Sequence, residues 1–445
     1  MEKRSQWASS LGFLLATAGA AIGLGNLWKF PYLMGRNGGF TFLIIYLIFV
    51  VVLGIPVMIT EMAVGRSTQK SAVAAYHKLG GKKAAVIGVL GVLAAFLILS
   101  YYSVIGGWII KYIVSYATTL SAPADFAAYT AQTWEPILWH LVFMAMTIVI
   151  CYVGTKGIEK VSKVMMPGLF ILLLVLIVRS VTLPGAEKGL AFIFQPSGEG
   201  LTFSAINAAL GQVFYSLSLA MGITLTYGSY LHKKENIPGN CAKIAGMDTM
   251  AAVMAGVAIF PAVFSFGLEP TQGPVLIFDT LPQVFANIPA GSAFAILFFV
   301  LMLFAAVTSS IALLECVSSF AMDNFHWSRR KATVILGVLI ALLGIPSSLS
   351  FGVLSDLSIL GYNFFDFICM ITDNILLPLG GLLMCIFVGW VWGPKMLVEE
   401  IESEGVKFRL KKAWIWCIRL VTPVLIAVVM IGGFVSIYQV VIGAR

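Results

Sequence analysis

The sequence predicts an all-α polytopic membrane protein of eleven transmembrane helices, two of them unwound at mid-membrane in matching places of two five-helix units. Three observations carry that prediction. The 445-residue chain is 60% hydrophobic and 11% charged, with a mean hydropathy of +0.97; a soluble domain carries about 25% charged residues. Eleven apolar runs are long enough to span a bilayer. Two of those runs are interrupted at mid-depth by glycine and polar residues, where broken backbone survives only if it lines a protein cavity or binds something.

The runs fall at 11–34, 40–64, 85–119, 136–155, 161–183, 203–231, 243–268, 291–322, 332–348, 357–391 and 414–442, and are numbered here as spans 1–11. One transmembrane domain, 1–445, accounts for the chain, with no soluble domain or low-complexity linker. With the N-terminus in the cytoplasm, the only Lys and Arg left on the outer side are Lys29, Arg36, Lys111, Arg179, Lys188 and Arg445. Every inner loop is then basic, and the outer loops lean acidic through Asp125, Glu135, Glu269 and Asp279. That alternation predicts a cytoplasmic N-terminus and an extracellular C-terminus. The net charge of +8 therefore belongs to membrane-flanking loops, and nucleic acid is not an expected partner. Lys3 and Arg4 before an apolar run have the outline of a signal peptide, but the segment continues as helix instead of a mature start. Loop 393–413, with Glu399, Glu400, Glu402 and Glu404, reads as a solvated cytoplasmic connector.

Cys151, Cys241, Cys316, Cys369, Cys385 and Cys417 lie in spans or at their inner ends, so buried thiols without disulfides are expected. No N-x-S/T sequon occurs. Both features suit a bacterial cytoplasmic membrane. No H-E-x-x-H or G-x-S-x-G pattern is present, and His77, His140, His232 and His326 sit near span ends without clustering, which argues against an enzyme.

The first interrupted run is residues 18–31, AGAAIGLGNLWKFP, where Gly19, Gly23 and Gly25 are followed by Asn26, Lys29 and Pro31. The second lies in span 6, with Ser216, Ser218 and Gly222 at its middle. Spans 1–5 (about 11–183) and 6–10 (about 203–391) then form two units, each opening with a broken helix. An odd number of spans per unit gives the two opposite orientation, the inverted-repeat plan of many secondary transporters. Span 11 (about 414–442) falls outside the repeat. A single Gly/Ser interruption would read as a packing notch. Two in corresponding positions, each joined to polar residues, point to a shared binding site. Span 8 carries Ala305-x-x-Thr308-Ser309-Ser310; hydroxyls in an isolated apolar helix ordinarily bond back to their own backbone, so this span alone leaves both readings open.

Arg4-x-x-Trp7, Gly19-Ala-Ala-Ile-Gly-Leu-Gly-Asn26, Phe30-Pro31, Asn37-Gly-Gly39, Gly54-Ile-Pro56, Glu61 and Gly65-Arg66 resemble the neurotransmitter:sodium symporter family in its bacterial leucine-transporter form. The likeness extends over spans 1–10. It implies the leucine-transporter-type 5+5 inverted repeat and sodium-coupled import by alternating access. Members usually have twelve spans, and eleven resembles the shorter form of some bacterial members.

The resemblance implies two sodium sites. One is built from the carbonyls of Gly19, Ile22 and Ala305 with the hydroxyls of Thr308 and Ser309. The other combines the Ala21 carbonyl, Asn26, Ser216, a polar span-7 side chain and the substrate's own carboxylate, which would couple the two bindings energetically. The span-7 position usually holds Asn; here it is Asp248, an intramembrane carboxylate. Chloride-dependent relatives bind the anion through residues matching Tyr46, Gln212 and Ser216. An Asp already supplies that charge, so chloride is not expected, and protonation of Asp248 could accompany the return step.

For the substrate, Gly23 stands where amine transporters place an Asp, which leaves room for an amino-acid carboxylate. Tyr102 matches the family's donor to that group, exposed backbone N–H groups at the two half-helix ends suit an anion, and Ala21, Gly25 and Ser216 are expected among the substrate-binding residues. The side-chain pocket is expected from Ala20, Leu24, Ile98 and Tyr215, with Ser218, Met221, Ser309 and Leu313. These are apolar or small, which implies a neutral hydrophobic amino acid. Met221 replaces a rigid Phe of the leucine transporter and predicts tolerance of aliphatic and aromatic substrates.

Glu61 is expected to tie the broken backbones of spans 1 and 6 together. An outer gate would pair Lys29 with Asp373, with Asp366 as competitor; an inner gate would pair Arg4 with Asp323, beside Trp7 and Tyr230. Gly157 and Pro167 bracket the inner end of span 5, as a site of unwinding or a simple kink. Glu315 stands where the leucine transporter has Gln, with no role assigned. The alternatives are proton coupling through Glu61, Asp248 or Glu315, a channel, and an amino-acid sensor of the same fold. A monomer or weak dimer is expected.

Overall fold

The computed structural model describes residues 6–123, 125–196, 201–268 and 275–443. Among these, regular structure is helical apart from one isolated bridge, Ile359 to Tyr362. Nine helices are long and apolar enough to cross a membrane, and ten if the bent pair Ser10–Ala21 and Gly25–Arg36 counts as one span. The run 203–231 is divided into Phe203–Ser216 and Ile223–Gly228, neither of which reaches that length alone.

Span 1 starts where Ser9 caps the helix, its hydroxyl accepting from Gly12 N at 3.0 Å. It leaves helical geometry at Ile22 (ψ 92°), resumes at Gly25 and runs to Arg36, with its two halves bent by 48°. Span 6 stops at Ser216 and turns through 217–222 with Ser218, Ala220 and Gly222 all at positive φ (52°, 59° and 71°). Left-handed backbone at a non-glycine residue costs of order 1–3 kcal/mol and persists only where the surroundings over-determine it. Here the Ser218 hydroxyl donates to the Ala20 carbonyl at 2.9 Å, and the Ala220 N–H donates to Glu61 at 3.2 Å.

The broken helices lie side by side inside a frame in which spans 3 and 8 form the most extensive pairing. The first half of span 1 packs on spans 5 and 8, and span 2 runs along both halves of span 6. That last approach needs glycine: a Cβ on Gly65 would collide with the Leu225 carbonyl, and one on Gly228 with the backbone of Met62.

Several boundaries move. Span 10 begins at Phe364, not 357, because 350–363 fold as turns and the Asn363 side chain caps the helix by accepting from Asp366 N at 2.8 Å. Span 3 belongs to the longer helix Ala72–Thr119, kinked at Gly80 and at Gly81, whose φ of 70° a side chain would resist. The helix Thr155–Val181 runs unbroken through Gly157 and Pro167, so the unwinding considered for span 5 is not present in this structure. Loop 393–413 is not merely solvated. It contains the helix Lys395–Glu402, which buries Leu397 and Ile401 and presents Glu400 to the fully buried Arg66 at 2.8 Å. The described cysteines are all free, four buried and two partly so.

Candidate functional site

The two breaks share a cavity of about 350 Å³. Ala20, Ala21, Gly23, Leu24 and Gly25 line it from span 1, and Tyr215, Ser218 and Met221 from span 6. Ile98 and Tyr102 of span 3 and Ser309 and Leu313 of span 8 complete it. Every residue expected at the substrate is on this wall except Ser216, whose hydroxyl turns away toward Asp248. Ile223 also lines the cavity. It was missed because it begins the second half-helix of span 6, and nothing in an apolar run marks which residue faces inward.

Packing dictates the glycines. A Cβ on Gly23 would stand 2.5 Å from Ser309 Oγ and 3.1 Å from Tyr102 Oη. One on Gly25 would stand 2.8 Å from the Tyr215 ring. A side chain at 23 would therefore displace both polar groups that face the break. Tyr102 Oη accepts the Leu24 N–H at 3.2 Å, and Gly23 N–H donates to Asn26 Oδ1 at 3.1 Å.

On one flank of the cavity a carboxylate is held in a dry polar cluster. Asp248 is completely buried. It accepts from Asn26 Nδ2 at 2.7 Å, from Ser216 Oγ at 2.8 Å and from Tyr46 Oη at 3.1 Å. Gln212 donates to the Gly25 carbonyl at 2.9 Å. Asp248, expected at this position from the sequence, is thus in contact with Asn26 and Ser216. The Asp248 carboxylate and the Ser216 hydroxyl in one dry pocket are hard oxygen donors that fit a hard cation, while Asn26 turns its Nδ2 to the carboxylate and its Oδ1 to Gly23 N.

On the other flank, Ser309 Oγ lies 3.3 Å from both the Gly19 and Ala20 carbonyls. Thr308 Oγ1 donates to Phe304 O at 3.0 Å and Ala305 O at 3.1 Å. Gly19 approaches so closely that a Cβ there would be 3.1 Å from Thr308 Cβ. The structure therefore brings Gly19, Ala305, Thr308 and Ser309 together beside the end of the first half-helix at Ile22.

Two sets of contacts involve the residues expected at the gates. At one, Lys29 Nζ pairs with Asp373 Oδ2 at 2.7 Å and lies 4.3 Å from the centre of the Tyr215 ring. Asp366 is engaged with Asn363 instead. At the other, Trp7 is buried and its indole N–H donates to the Tyr227 carbonyl at 3.1 Å. Its ring stacks edge-on against Tyr227 and Tyr230. Arg4 lies outside the described residues; Asp323 accepts from Ser71 N at 2.6 Å.

Two acidic residues differ from expectation. Glu61 bonds to Ala220 N and to the Thr224 hydroxyl, both in span 6, and makes no hydrogen bond to span 1. It braces one break rather than tying two. Glu315 has defined partners: it accepts from Tyr230 Oη at 2.6 Å and pairs with Arg329 at 2.6 Å. Glu159 was not singled out from sequence, yet it accepts from Ala8 N at 3.0 Å and Ser9 Oγ at 2.6 Å, fastening the chain before span 1 to span 5. A lone Glu near a basic loop carries no signal of that role.

The sequence matches the sodium:neurotransmitter symporter family over residues 4–126 and 129–443. It is 42% identical to YhdH, a sodium-dependent transporter of Bacillus subtilis, over 97% of this chain and 98% of that protein. A sodium-dependent transporter of Haemophilus influenzae is 36% identical over 97% and 98% of the two chains. Among solved structures, the crystal structure of MhsT in complex with L-phenylalanine matches with a TM-score of 0.90 and 44% identity, covering 97% of this chain and all of that one. These relatives are transporters, not enzymes.

Proposed function

The chain belongs to the sodium:neurotransmitter symporter family and is a sodium-coupled symporter, and on that premise we propose that it imports neutral hydrophobic L-amino acids, aliphatic and aromatic, by alternating access and without chloride. The observation that carries the reading is the cavity between the two breaks. Its side-chain walls are mostly apolar or small, and the polar groups packed nearest Gly23 are the Ser309 and Tyr102 hydroxyls, neutral groups rather than charges. A charged substrate side chain would lose its hydration there with no partner. The L-phenylalanine held by MhsT supports the same class of cargo. Met221, flexible at χ and soft in contact, lets one cavity take side chains of several shapes.

We assign one sodium to the Asp248 cluster, with Asn26, Ser216 and the Ala21 carbonyl, and a second to Gly19, Ile22, Ala305, Thr308 and Ser309. The first adjoins the space for the substrate carboxylate, so each would raise the other's affinity by the same factor. The residues matched to chloride ligands, Tyr46 and Ser216, already donate to the Asp248 carboxylate. A fixed negative charge in their midst is the reason for proposing chloride independence. The basic loops support a cytoplasmic N-terminus in a bacterial inner membrane.

The test is uptake into sealed proteoliposomes with an imposed sodium gradient at constant pH. Leucine and phenylalanine should accumulate, while glycine and glutamate should not, and replacing chloride with gluconate should leave the rate unchanged. Loss of transport in gluconate would remove the chloride assignment. Uptake driven by a proton gradient without sodium would favour the rival coupling through Glu61 or Asp248. Sodium-dependent binding without accumulation would indicate a sensor.

A further inference from the structure

Away from this site, a second cavity of about 400 Å³ lies among the Arg179 end of span 5, span 7, the helix Leu281–Ala286 and span 8. Its wall is apolar, with Leu176, Ile259, Ala262, Val284 and Phe298 among the lining residues. Two polar side chains interrupt it. Ser180 is 4% exposed and its hydroxyl has no hydrogen-bond partner, although a serine in an apolar helix ordinarily bonds back to its own backbone. Arg179 lines the cavity and also a groove of about 660 Å³ on the outside of the bundle, which it shares with Phe294, Val178 and Thr182. The two spaces meet at Arg179 and Phe294, where the guanidinium lies 5.9 Å from the ring centre. No described carboxylate lies within salt-bridge distance of Arg179.

Position sharpens the question. Arg179 is close to the end of the helix Thr155–Val181, an apolar span whose end is expected where hydrocarbon gives way to headgroups. An arginine there with no carboxylate partner among the described residues is matched by the phosphate of a lipid, which it can meet with two parallel N–H donors. The apolar cavity behind it is matched by an acyl chain, and the unused Ser180 hydroxyl by a glycerol ester carbonyl, which lies between phosphate and chain.

We propose that this crevice binds one anionic phospholipid, with its phosphate on Arg179, an ester carbonyl on Ser180 and an acyl chain in the cavity past Phe294. The inference rests on the membrane location of the chain and is independent of the cargo.

Native mass spectrometry of the purified full chain, titrated with palmitoyl-oleoyl phosphatidylglycerol or the matching phosphatidylcholine, tests it. One phosphatidylglycerol should be retained with a preference of about fivefold, the scale of one cation at a membrane surface. Arg179→Gln should level that preference. Ala262→Phe, which fills the cavity, should remove the retained lipid of either kind. Unchanged melting temperature and sodium-driven uptake would show that both variants fold. Equal retention of the two lipids by the unmodified protein would overturn the proposal, as would retention of phosphatidylglycerol unaffected by both substitutions.

Discussion

The two sets of contacts expected to gate the central cavity are built unlike. At the Lys29 end a single ion pair, with side chains 31% and 27% exposed, lies across the opening with the Tyr215 ring beneath it. At the Trp7 end an indole is sunk among Phe13, Tyr227 and Tyr230. Behind it the fully buried Glu315 joins Tyr230 to Arg329, and Glu159 fastens residues 8 and 9 to span 5. A solvated pair is worth about 0–1 kcal/mol. Breaking a buried one by removing a single partner costs about 3–5 kcal/mol. The first set is therefore weakly held, and the second is part of the core; as gates, the first would act as a latch that ordinary thermal fluctuation releases. An alternating-access cycle that starts from this arrangement should open the Lys29 end far more readily.

The sharpest way to break that comparison is Glu315→Ala. It strands the Arg329 guanidinium, 17% exposed, and takes away the acceptor of the Tyr230 hydroxyl. The Trp7 closure should weaken by about 3–5 kcal/mol, which is a shift of two orders of magnitude or more in the closed-to-open ratio. Cys316 reports it. Its thiol is buried and donates to the Met221 carbonyl just below the cavity. With the remaining cysteines replaced by alanine, an impermeant maleimide should label Cys316 in Glu315→Ala much faster than in the parent protein. Glu315→Gln keeps an acceptor for both partners and should lie between the two. Equal labelling in all three would mean that the Glu315 pair does not hold this end shut.

The asymmetry was only half legible in the sequence. Lys29, Asp373, Trp7 and Tyr230 all stand in recognisable motifs or matched positions, and both glycine-broken runs could be read directly because hydrocarbon penalises unpaired backbone. Glu315 could not be joined to Arg329, nor Glu159 to residues 8 and 9, because the partners lie on different segments and each meeting depends on how the spans pack. Arg66 and Glu400 are the same case: the loop holding Glu400 looks polar and solvated, yet it supplies the partner of a buried arginine. Ile223 shows the limit for apolar positions. Hydrophobicity says that a residue is buried, and only the fold says whether it faces a cavity or another helix.

A smaller effect separates the hydrogen bond at Trp7 from its packing. Trp7→Phe keeps an aromatic ring between Tyr227 and Tyr230 but loses the N–H that donates to the Tyr227 carbonyl at 3.1 Å. That carbonyl still accepts from Tyr230 N at 3.2 Å, so it is not left without a partner. The closure should weaken by about 1–2 kcal/mol, from one hydrogen bond and a reduced ring. Cys316 labelling should therefore rise about tenfold, well short of the Glu315→Ala rate. A rate equal to that of Glu315→Ala would place the strength of this end in the indole and not in the buried ion pair.

The smallest effect belongs to the Lys29 end, and its salt dependence identifies its nature. Lys29→Gln removes the charge facing Asp373 and the cation over Tyr215, but keeps most of the side chain's length. Each interaction is partly in water, so the change in closure should stay below about 1 kcal/mol. Screening adds a second signature. At about 1 M ionic strength the Debye length falls to about 3 Å, and the unmodified protein should approach the variant. The readout is labelling of a cysteine placed at Leu24, on the cavity wall below the pair, in the same cysteine-depleted background. The Lys29→Gln chain should react slightly faster at low salt and at the same rate at high salt. Raising salt should leave the Trp7 end unmoved, because its charges are shielded from solvent by the protein itself. A Lys29→Gln effect as large as that of Glu315→Ala, or one indifferent to salt, would mean that the two closures are built alike after all.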